Sequence, residues 1–291
     1  MSTSTLRFAA LAATAGIVLV LPESRHGNSQ VYNLILFTVG MSHYMLSFHY
    51  ARRRIRELAS LGSARVPLLV VAAVGVGFAL AGHAAGDLGH GLLFYFGIHH
   101  ALNEYYMTAY ASPKSAPAPG LCTASAVFHL AFYFLIVIND RAFLAVYRDA
   151  VALCALISAA VYLLVLLRGG VARSSLPSAW TLLFEGVVAG LGVSAYLQLV
   201  HFRFVDVVLF HFLYWLAYPV LKLSAAGAKA IHHFILENVA LATGFALLAL
   251  LAPRALPSGL FDFGSFVHIS AAFALSAANP AWIRARFPSS D

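Results

Sequence analysis

Apolar stretches of about 20 residues, separated by short polar segments, recur along the whole sequence. A helix of about that length crosses a hydrocarbon core of about 30 Å, so the pattern predicts membrane-spanning helices. Pro and Gly mark several boundaries, as in "SPKSAPAPG" at 112–120 and "RGGVARSSLPS" at 168–178. The ten predicted spans are residues 7–22, 31–50, 66–83, 90–110, 121–138, 149–167, 179–200, 204–223, 229–252 and 261–282.

The predicted fold class is therefore all-α: a polytopic transmembrane helix bundle in which residues 1–291 form a single integral membrane domain. Residues 139–148 are the least apolar of the helical segments, and they fit an interfacial helix. The first apolar stretch follows Arg7, as in a signal peptide, but no small-x-small cleavage site precedes "PESRHG". We therefore expect this stretch to remain as the first helix.

Composition and charge agree with a membrane location and predict an orientation. Of the 291 residues, 61% are hydrophobic and 10% are charged, whereas a soluble domain has about 25% charged residues. The net charge of +7 does not indicate nucleic-acid binding, because the basic residues are scattered over short loops. With ten spans, thirteen of the eighteen Lys and Arg residues fall on one side. The positive-inside rule then predicts cytoplasmic termini, in the plasma or inner membrane of a bacterial source.

Histidines at one depth are the main candidates for chemistry. The sequence has thirteen, and an ionisable side chain inside a span is costly enough to indicate a function. Seven form a group in which most lie about 5 to 12 residues from the predicted cytoplasmic end of a helix, which is a layer about 10 Å thick. These are His43, His99, His100, His129, His211, His232 and His233. The histidines at positions 26, 83, 90 and 201 lie at predicted outer ends, and His49 lies next to an Arg cluster, so we expect these five at the interface.

Carboxylates accompany two of the histidine pairs. Glu104 and Glu237 each follow a histidine by four residues, in "HHALNE" and "HHFILE", and this spacing places the His and the Glu on one helix face. Glu185 lies at a similar predicted depth. Imidazoles with carboxylates and no thiolate are ligands for iron, zinc, manganese or copper. The three glutamates are candidate catalytic residues, either as ligands or as acceptors of a hydrogen bond from a ligating histidine.

Other interpretations of the histidines stay open. A single intramembrane histidine usually hydrogen-bonds a neighbouring helix, and the whole group also suits a polar or proton-conducting network. A haem-like macrocycle is disfavoured, because axial ligation needs only two histidines on facing helices. The two cysteines, Cys122 and Cys154, form no CxxC pair and indicate neither a disulfide framework nor a zinc site.

Three segments carry a resemblance to a known family. They are "LFTVGMSHYMLS" at 36–47, "LLFYFGIHHALNEYY" at 92–106 and "VDVVLFHFLYW" at 205–215. In order and approximate spacing they resemble the Brp/Blh family of membrane carotenoid-cleaving dioxygenases. The resemblance implies that histidines on several helices hold one iron ion and that β-carotene is cleaved with O2 to give retinal.

Carried over by position, the resemblance implies that His43, His211 and either His99 or His100 are ligands, with Glu104 as the acidic residue that follows the second. Trp215 stands where the family has a fourth histidine, and Ser42 stands where the family motif has proline. These departures put the fourth ligand in doubt. Its source is then His129, His232, His233 or a carboxylate.

We therefore expect a membrane-embedded oxygenase with a non-haem metal centre, iron first among the candidates, with one or two ions. Its expected partners are O2, the lipid bilayer and a lipophilic substrate such as a carotenoid, another isoprenoid or an acyl lipid. The main rival is a transporter or channel for a metal ion or proton, because a His/Glu relay suits that function equally well. A third alternative is a membrane scaffold that delivers a metal. No nucleotide-binding or Ser-His-Asp motif is evident in the sequence.

Overall fold

The computed structural model describes residues 3–21, 30–60, 75–77, 80, 88–110, 119–169, 177–224, 227–252 and 260–277. Within these residues the regular structure is helical and no strand occurs. The all-α fold class is therefore confirmed for the described part of the chain. The helices are α1 (Thr3–Val20), α2 (Gln30–Ser60), α3 (Leu88–Tyr110), α4 (Pro119–Ile136), α5 (Ala142–Val146), α6 (Arg148–Gly169), α7 (Ala179–Tyr196), α8 (Phe204–Leu223), α9 (Ala228–Leu251) and α10 (Leu260–Ala277).

Six of the described helices are long and apolar enough to cross a membrane. The segments that meet this requirement are Thr3–Val20, Gln30–His49, Arg148–Arg168, Ala179–Tyr196, Phe204–Leu221 and Ala228–Leu251. Many of their outward residues are large and apolar, and in α9 Leu250 is 62% and Leu251 79% exposed, which suits contact with lipid. Helices α3, α4 and α10 coincide with three more predicted spans. Most of the predicted span 66–83 lies outside the described residues.

Two helices differ from the simple hydropathy pattern. Helix α2 continues to Ser60, ten residues beyond the predicted end of its span. The added sequence "ARRRIRELAS" is rich in Ala, Arg, Leu and Glu, which favour a helix in water as well as in the membrane. Helix α5 spans only the five residues Ala142–Val146, inside the segment for which an interfacial helix was expected.

The chain divides into two compact units. The first unit is formed by Met1–Leu92 and Val205–Asn279, and so contains α1, α2, α9, α10 and nearly all of α8. The second unit contains Leu93–Phe204, with most of α3 and with α4 to α7. In the first unit α2 packs against α9 and α10, and in the second unit α4 packs against α6 and α7.

Close approaches at glycine hold the helices of the second unit together. A Cβ atom on Gly97 of α3 would lie 2.7 Å from Cε1 of Tyr133 in α4, and one on Gly192 of α7 would lie 2.8 Å from Cδ1 of Phe132 in α4. The hydroxyl of Tyr133 donates a hydrogen bond of 2.9 Å to the carbonyl oxygen of Leu93. Helix α4 therefore lies against both α3 and α7, and these three helices carry the polar residues described next.

Candidate metal centre

Four polar side chains converge inside the second unit. They are His100 and Glu104 on α3, His129 on α4 and Glu185 on α7, and their residues are between 2% and 8% exposed. His100 and Glu104 share a face of α3 because they are four residues apart. His129 and Glu185 reach the same point because α4 lies close to α3 and α7 where these helices carry glycine.

The distances among three of these groups suit a shared cation, and the fourth, Glu185, contacts one of them. One ligand atom from each of His100, Glu104 and His129 lies within 4.8 Å of the other two. Nε2 of His129 lies 2.7 Å from Oε2 of Glu185 and 3.6 Å from Oε2 of Glu104. Two ligand atoms about 2.0 to 2.2 Å from one metal ion, at angles of about 90 to 110°, lie roughly 2.9 to 3.5 Å apart. The observed separation of 2.7 Å lies just below that range, and the separation of 3.6 Å lies just above it.

The charges of the four groups also favour a divalent ion. Two ionised carboxylates buried together repel each other and lose their hydration, unless they share a proton or bind a cation. Two carboxylates and two neutral imidazoles carry a net charge of −2, which a divalent ion would neutralise. A neutral assembly is the least costly one inside a membrane. Among the described residues, Oε1 of Glu185 has no hydrogen-bond donor, so it remains available to a cation.

Aromatic rings surround this cluster. The ring of Phe96 is nearly parallel to that of His100, with centroids 6.3 Å apart, and the ring of Phe128 lies 5.4 Å from that of His129 at an angle of 82°. Phe184, next to Glu185 in the sequence, stacks 6.4 Å from His129. These rings limit the rotation of both imidazoles and keep polar solvent from the carboxylates.

The adjacent residue His99 has a different environment from His100. It is buried, and its Nε2 lies 3.1 Å from the amide nitrogen Nδ2 of Asn103, one helical turn later. Because the amide nitrogen donates, Nε2 of His99 is the acceptor of this hydrogen bond. Adjacent helical residues point about 100° apart, so His99 and His100 face different neighbours. His100 is the one of the two that joins the cluster with Glu104.

The first unit contains a second group of buried histidines. His43 of α2, His211 of α8 and His268 of α10 are 6%, 3% and 8% exposed. The ring of His43 lies 5.7 Å from that of His211 and 4.7 Å from that of His268, measured between centroids. His43 and His211 were expected as ligands from the sequence. His268 was not among the predicted residues, and a signal for it exists in the sequence, since it is a histidine in the middle of an apolar span.

The second HHxxxE motif lies on an exposed part of α9. His232 and His233 are exposed, and Phe234 is the buried residue of this helix. Oε1 of Glu237 lies 3.2 Å from Nε2 of His233 and 3.7 Å from Nε2 of His49. The identical spacing of the two motifs thus leads to a buried cluster on α3 and to an exposed contact on α9.

No protein-family model matches the sequence, and no curated protein and no solved structure matches it.

Proposed function

We propose that the chain is an integral membrane oxygenase with a non-haem metal centre, which acts with O2 on a lipophilic substrate. The observation that supports this proposal is the buried group of His100, Glu104, His129 and Glu185, in which Nε2 of His129 lies 2.7 Å from one carboxylate and 3.6 Å from another. Two histidines and one carboxylate with open positions are the donor set of non-haem Fe(II) oxygenases. Iron is therefore the first metal to test.

In this proposal the protein side chains hold and shield the ion. His100, His129 and Glu104 bind it, and Glu185, whose Oε2 lies 2.7 Å from Nε2 of His129, supplies the second negative charge. Bound iron would supply the activation of O2. Phe96, Phe128 and Phe184 exclude water, which protects a reactive centre from side reactions.

The proposed substrate class is a carotenoid, another isoprenoid or an acyl lipid. A site inside membrane-spanning helices is reached from the bilayer, where such molecules dissolve. The resemblance of residues 36–47, 92–106 and 205–215 to the Brp/Blh dioxygenases makes β-carotene the first substrate to test.

We also propose the topology of the chain in the membrane. Ten spans with both termini in the cytoplasm place thirteen of the eighteen basic residues on the cytoplasmic side. In a bacterial cell this corresponds to the inner membrane. Reporter fusions after residues 60, 112 and 170 should report a cytoplasmic location, and a periplasmic signal at any of these positions contradicts the topology.

The decisive experiment measures metal content and product together. Protein purified in detergent under anaerobic conditions is analysed by inductively coupled plasma mass spectrometry and then exposed to O2 with β-carotene, squalene or a fatty acyl lipid. We expect near-stoichiometric iron and an oxygenated product, both lost in His129→Ala and retained in His201→Ala, which changes an exposed histidine. Absence of any stoichiometric transition metal from well-folded protein would refute the proposal.

A second candidate function is the transport of a metal ion or proton. It is supported by the contact between His129 and Glu185 and by the position of Glu237 between His49 and His233, because such pairs suit a relay. Proteoliposomes loaded with a metal-sensitive or pH-sensitive dye distinguish the two functions. Flux that requires His129, without any oxygenated product, would favour transport.

A further inference from the structure

Helix α2 continues past its membrane-spanning part, and the added turns are strongly basic. The span ends at His49 and the helix ends at Ser60. Between them the sequence has arginine at positions 52, 53, 54 and 56 and one acidic residue, Glu57. Arg52 and Arg56 are four residues apart on the helix, a spacing at which like charges repel each other. A bound anion would relieve this repulsion.

The depth of these arginines matches the headgroup layer of a bilayer. At about 1.5 Å per residue, Arg52 and Arg56 lie about 4.5 and 10.5 Å beyond His49 along the helix axis. The polar layer on each side of the hydrocarbon core is about 5 to 7 Å thick. The basic turns therefore begin at the level of the lipid phosphates, and arginine binds phosphate oxygens through two parallel hydrogen bonds.

A contact of His49 shows which side of α2 faces α9. Nε2 of His49 lies 3.7 Å from Oε1 of Glu237 on α9. At about 100° per residue, positions 52, 53 and 56 lie within about 60° of His49 around the axis, whereas position 54 lies about 140° away. Three of the arginine positions are therefore on the side of α2 that faces α9, and Arg54 is on another side.

The start of α9 adds a basic residue at the same level. The ring of Phe37 on α2 lies 6.0 Å from that of Phe245 on α9, whereas His49 contacts Glu237, so the two helices run antiparallel. Beyond His49, α2 thus runs alongside the first residues of α9. Lys229 is exposed there. It lies eight residues before Glu237, about 12 Å along the axis, which is close to the depth of the last arginine of α2.

We propose that Arg52, Arg53 and Arg56 of α2 and Lys229 of α9 form a binding site for the headgroup of an anionic phospholipid, in the leaflet at which α2 leaves the membrane. Basic residues that directly follow a span attract anionic lipids. The depth favours a lipid over a soluble anion, because the first arginines lie within the headgroup layer itself. The site is independent of the proposed metal centre.

The test measures lipid binding to the full-length protein by native mass spectrometry. Delipidated protein in a neutral detergent is titrated with dioleoyl phosphatidylglycerol or with dioleoyl phosphatidylcholine, which has the same chains and a zwitterionic headgroup. We expect the anionic lipid to bind at least about tenfold more tightly, since several basic residues contribute. Arg56→Gln and Lys229→Gln should each weaken its binding by about fivefold, the effect of one basic residue near an anionic surface.

Arg54→Gln is the matched control, because it removes one positive charge from the same turns on another side of α2. It should leave binding of phosphatidylglycerol within about twofold. Equal losses in Arg54→Gln and Arg56→Gln would reduce the effect to net charge and overturn the site, as would equal affinity for the two lipids. Displacement of phosphatidylglycerol by inorganic phosphate at equal concentration would also overturn it. If Arg56→Gln does not elute as a monodisperse peak, Lys229→Gln on the other helix decides: a fivefold loss supports the proposal, and unchanged binding overturns it.

Discussion

Nε2 of His129 lies 2.7 Å from Oε2 of Glu185, and the two side chains are 2% and 6% exposed. A carboxylate in such a place is stable only if its charge is compensated. The contact joins α4 to α7, and Glu104 on α3 lies 3.6 Å from the same imidazole nitrogen. Three helices therefore meet at one histidine, which makes the two carboxylates the first targets for mutation.

Glu185→Gln should weaken metal binding while preserving the size of the side chain. Removing the charge leaves a divalent ion compensated by only one carboxylate, so we expect a loss of about 10- to 100-fold in metal affinity or activity. Metal titration of stripped protein measures this change. The control is Glu237→Gln, a carboxylate outside this cluster, which should have no effect. Equal losses in both variants contradict the role of Glu185.

His100→Ala and His99→Ala should differ sharply although the residues are adjacent. His100 joins the cluster with Glu104 and His129, whereas Nε2 of His99 accepts a hydrogen bond from Asn103. We expect His100→Ala to lose the metal of the second unit and His99→Ala to retain it, as measured by metal content. Retention of metal in His100→Ala together with loss in His99→Ala would show that His99, and not His100, is the ligand.

The helices could be predicted from the sequence because bilayer thickness dictates the length of each apolar stretch. The predicted spans 204–223 and 229–252 match α8 and α9 to within one residue at each end. The end of α2 could not be predicted from hydropathy, because "ARRRIRELAS" is polar and still favours a helix.

The site was harder to predict, because depth along a helix does not fix rotation about its axis. The i, i+4 spacing of His100 and Glu104 correctly predicted that they share one face of α3, and that face is buried. His233 and Glu237 have the same spacing on α9, but His233 is exposed. His268 was overlooked for a related reason. It lies fourteen residues before the predicted end of the last span at 282, which is outside the layer 5 to 12 residues from the predicted cytoplasmic ends.

Gly192→Ala should disturb the second unit at a distance from the polar groups. A Cβ atom there would lie 2.8 Å from Phe132, three residues after His129, and Gly192 is two turns after Glu185 on the same face of α7. Overpacking costs about 1 to 3 kcal/mol, and separation of α7 from α4 should also lengthen the contact between Glu185 and His129. Thermal unfolding in detergent and metal affinity should therefore both decrease.

Gly190→Ala is the matched control for this prediction. It lies on the same helix, and a Cβ atom on Gly190 would meet nothing within 4 Å. Alanine favours a helix by roughly 0.5 to 1 kcal/mol over glycine, so the control should be neutral or slightly more stable. A loss of stability in Gly190→Ala as large as in Gly192→Ala would show that helix contact at Gly192 is not the cause.

The hydrogen bond between Tyr32 and Asp206 should stabilise the first unit. The hydroxyl of Tyr32 donates to Oδ1 of Asp206 over 2.8 Å, and the two residues are 1% and 6% exposed. Because it joins α2 to the first turn of α8, it helps to set the positions of His43 and His211. A typical intramolecular hydrogen bond contributes about 0.5 to 1.5 kcal/mol. Tyr32→Phe should lower the free energy of unfolding by about that amount.

A double-mutant cycle with Asp206→Ala isolates this contribution, because the two changes are additive only if the residues do not interact. Unfolding in detergent is compared for the two single variants and the double variant. Tyr147→Phe is the control, since Tyr147 is 62% exposed, and it should change stability by less than about 0.5 kcal/mol. If the effects of Tyr32→Phe and Asp206→Ala simply add, the hydrogen bond contributes nothing to the stability of the unit.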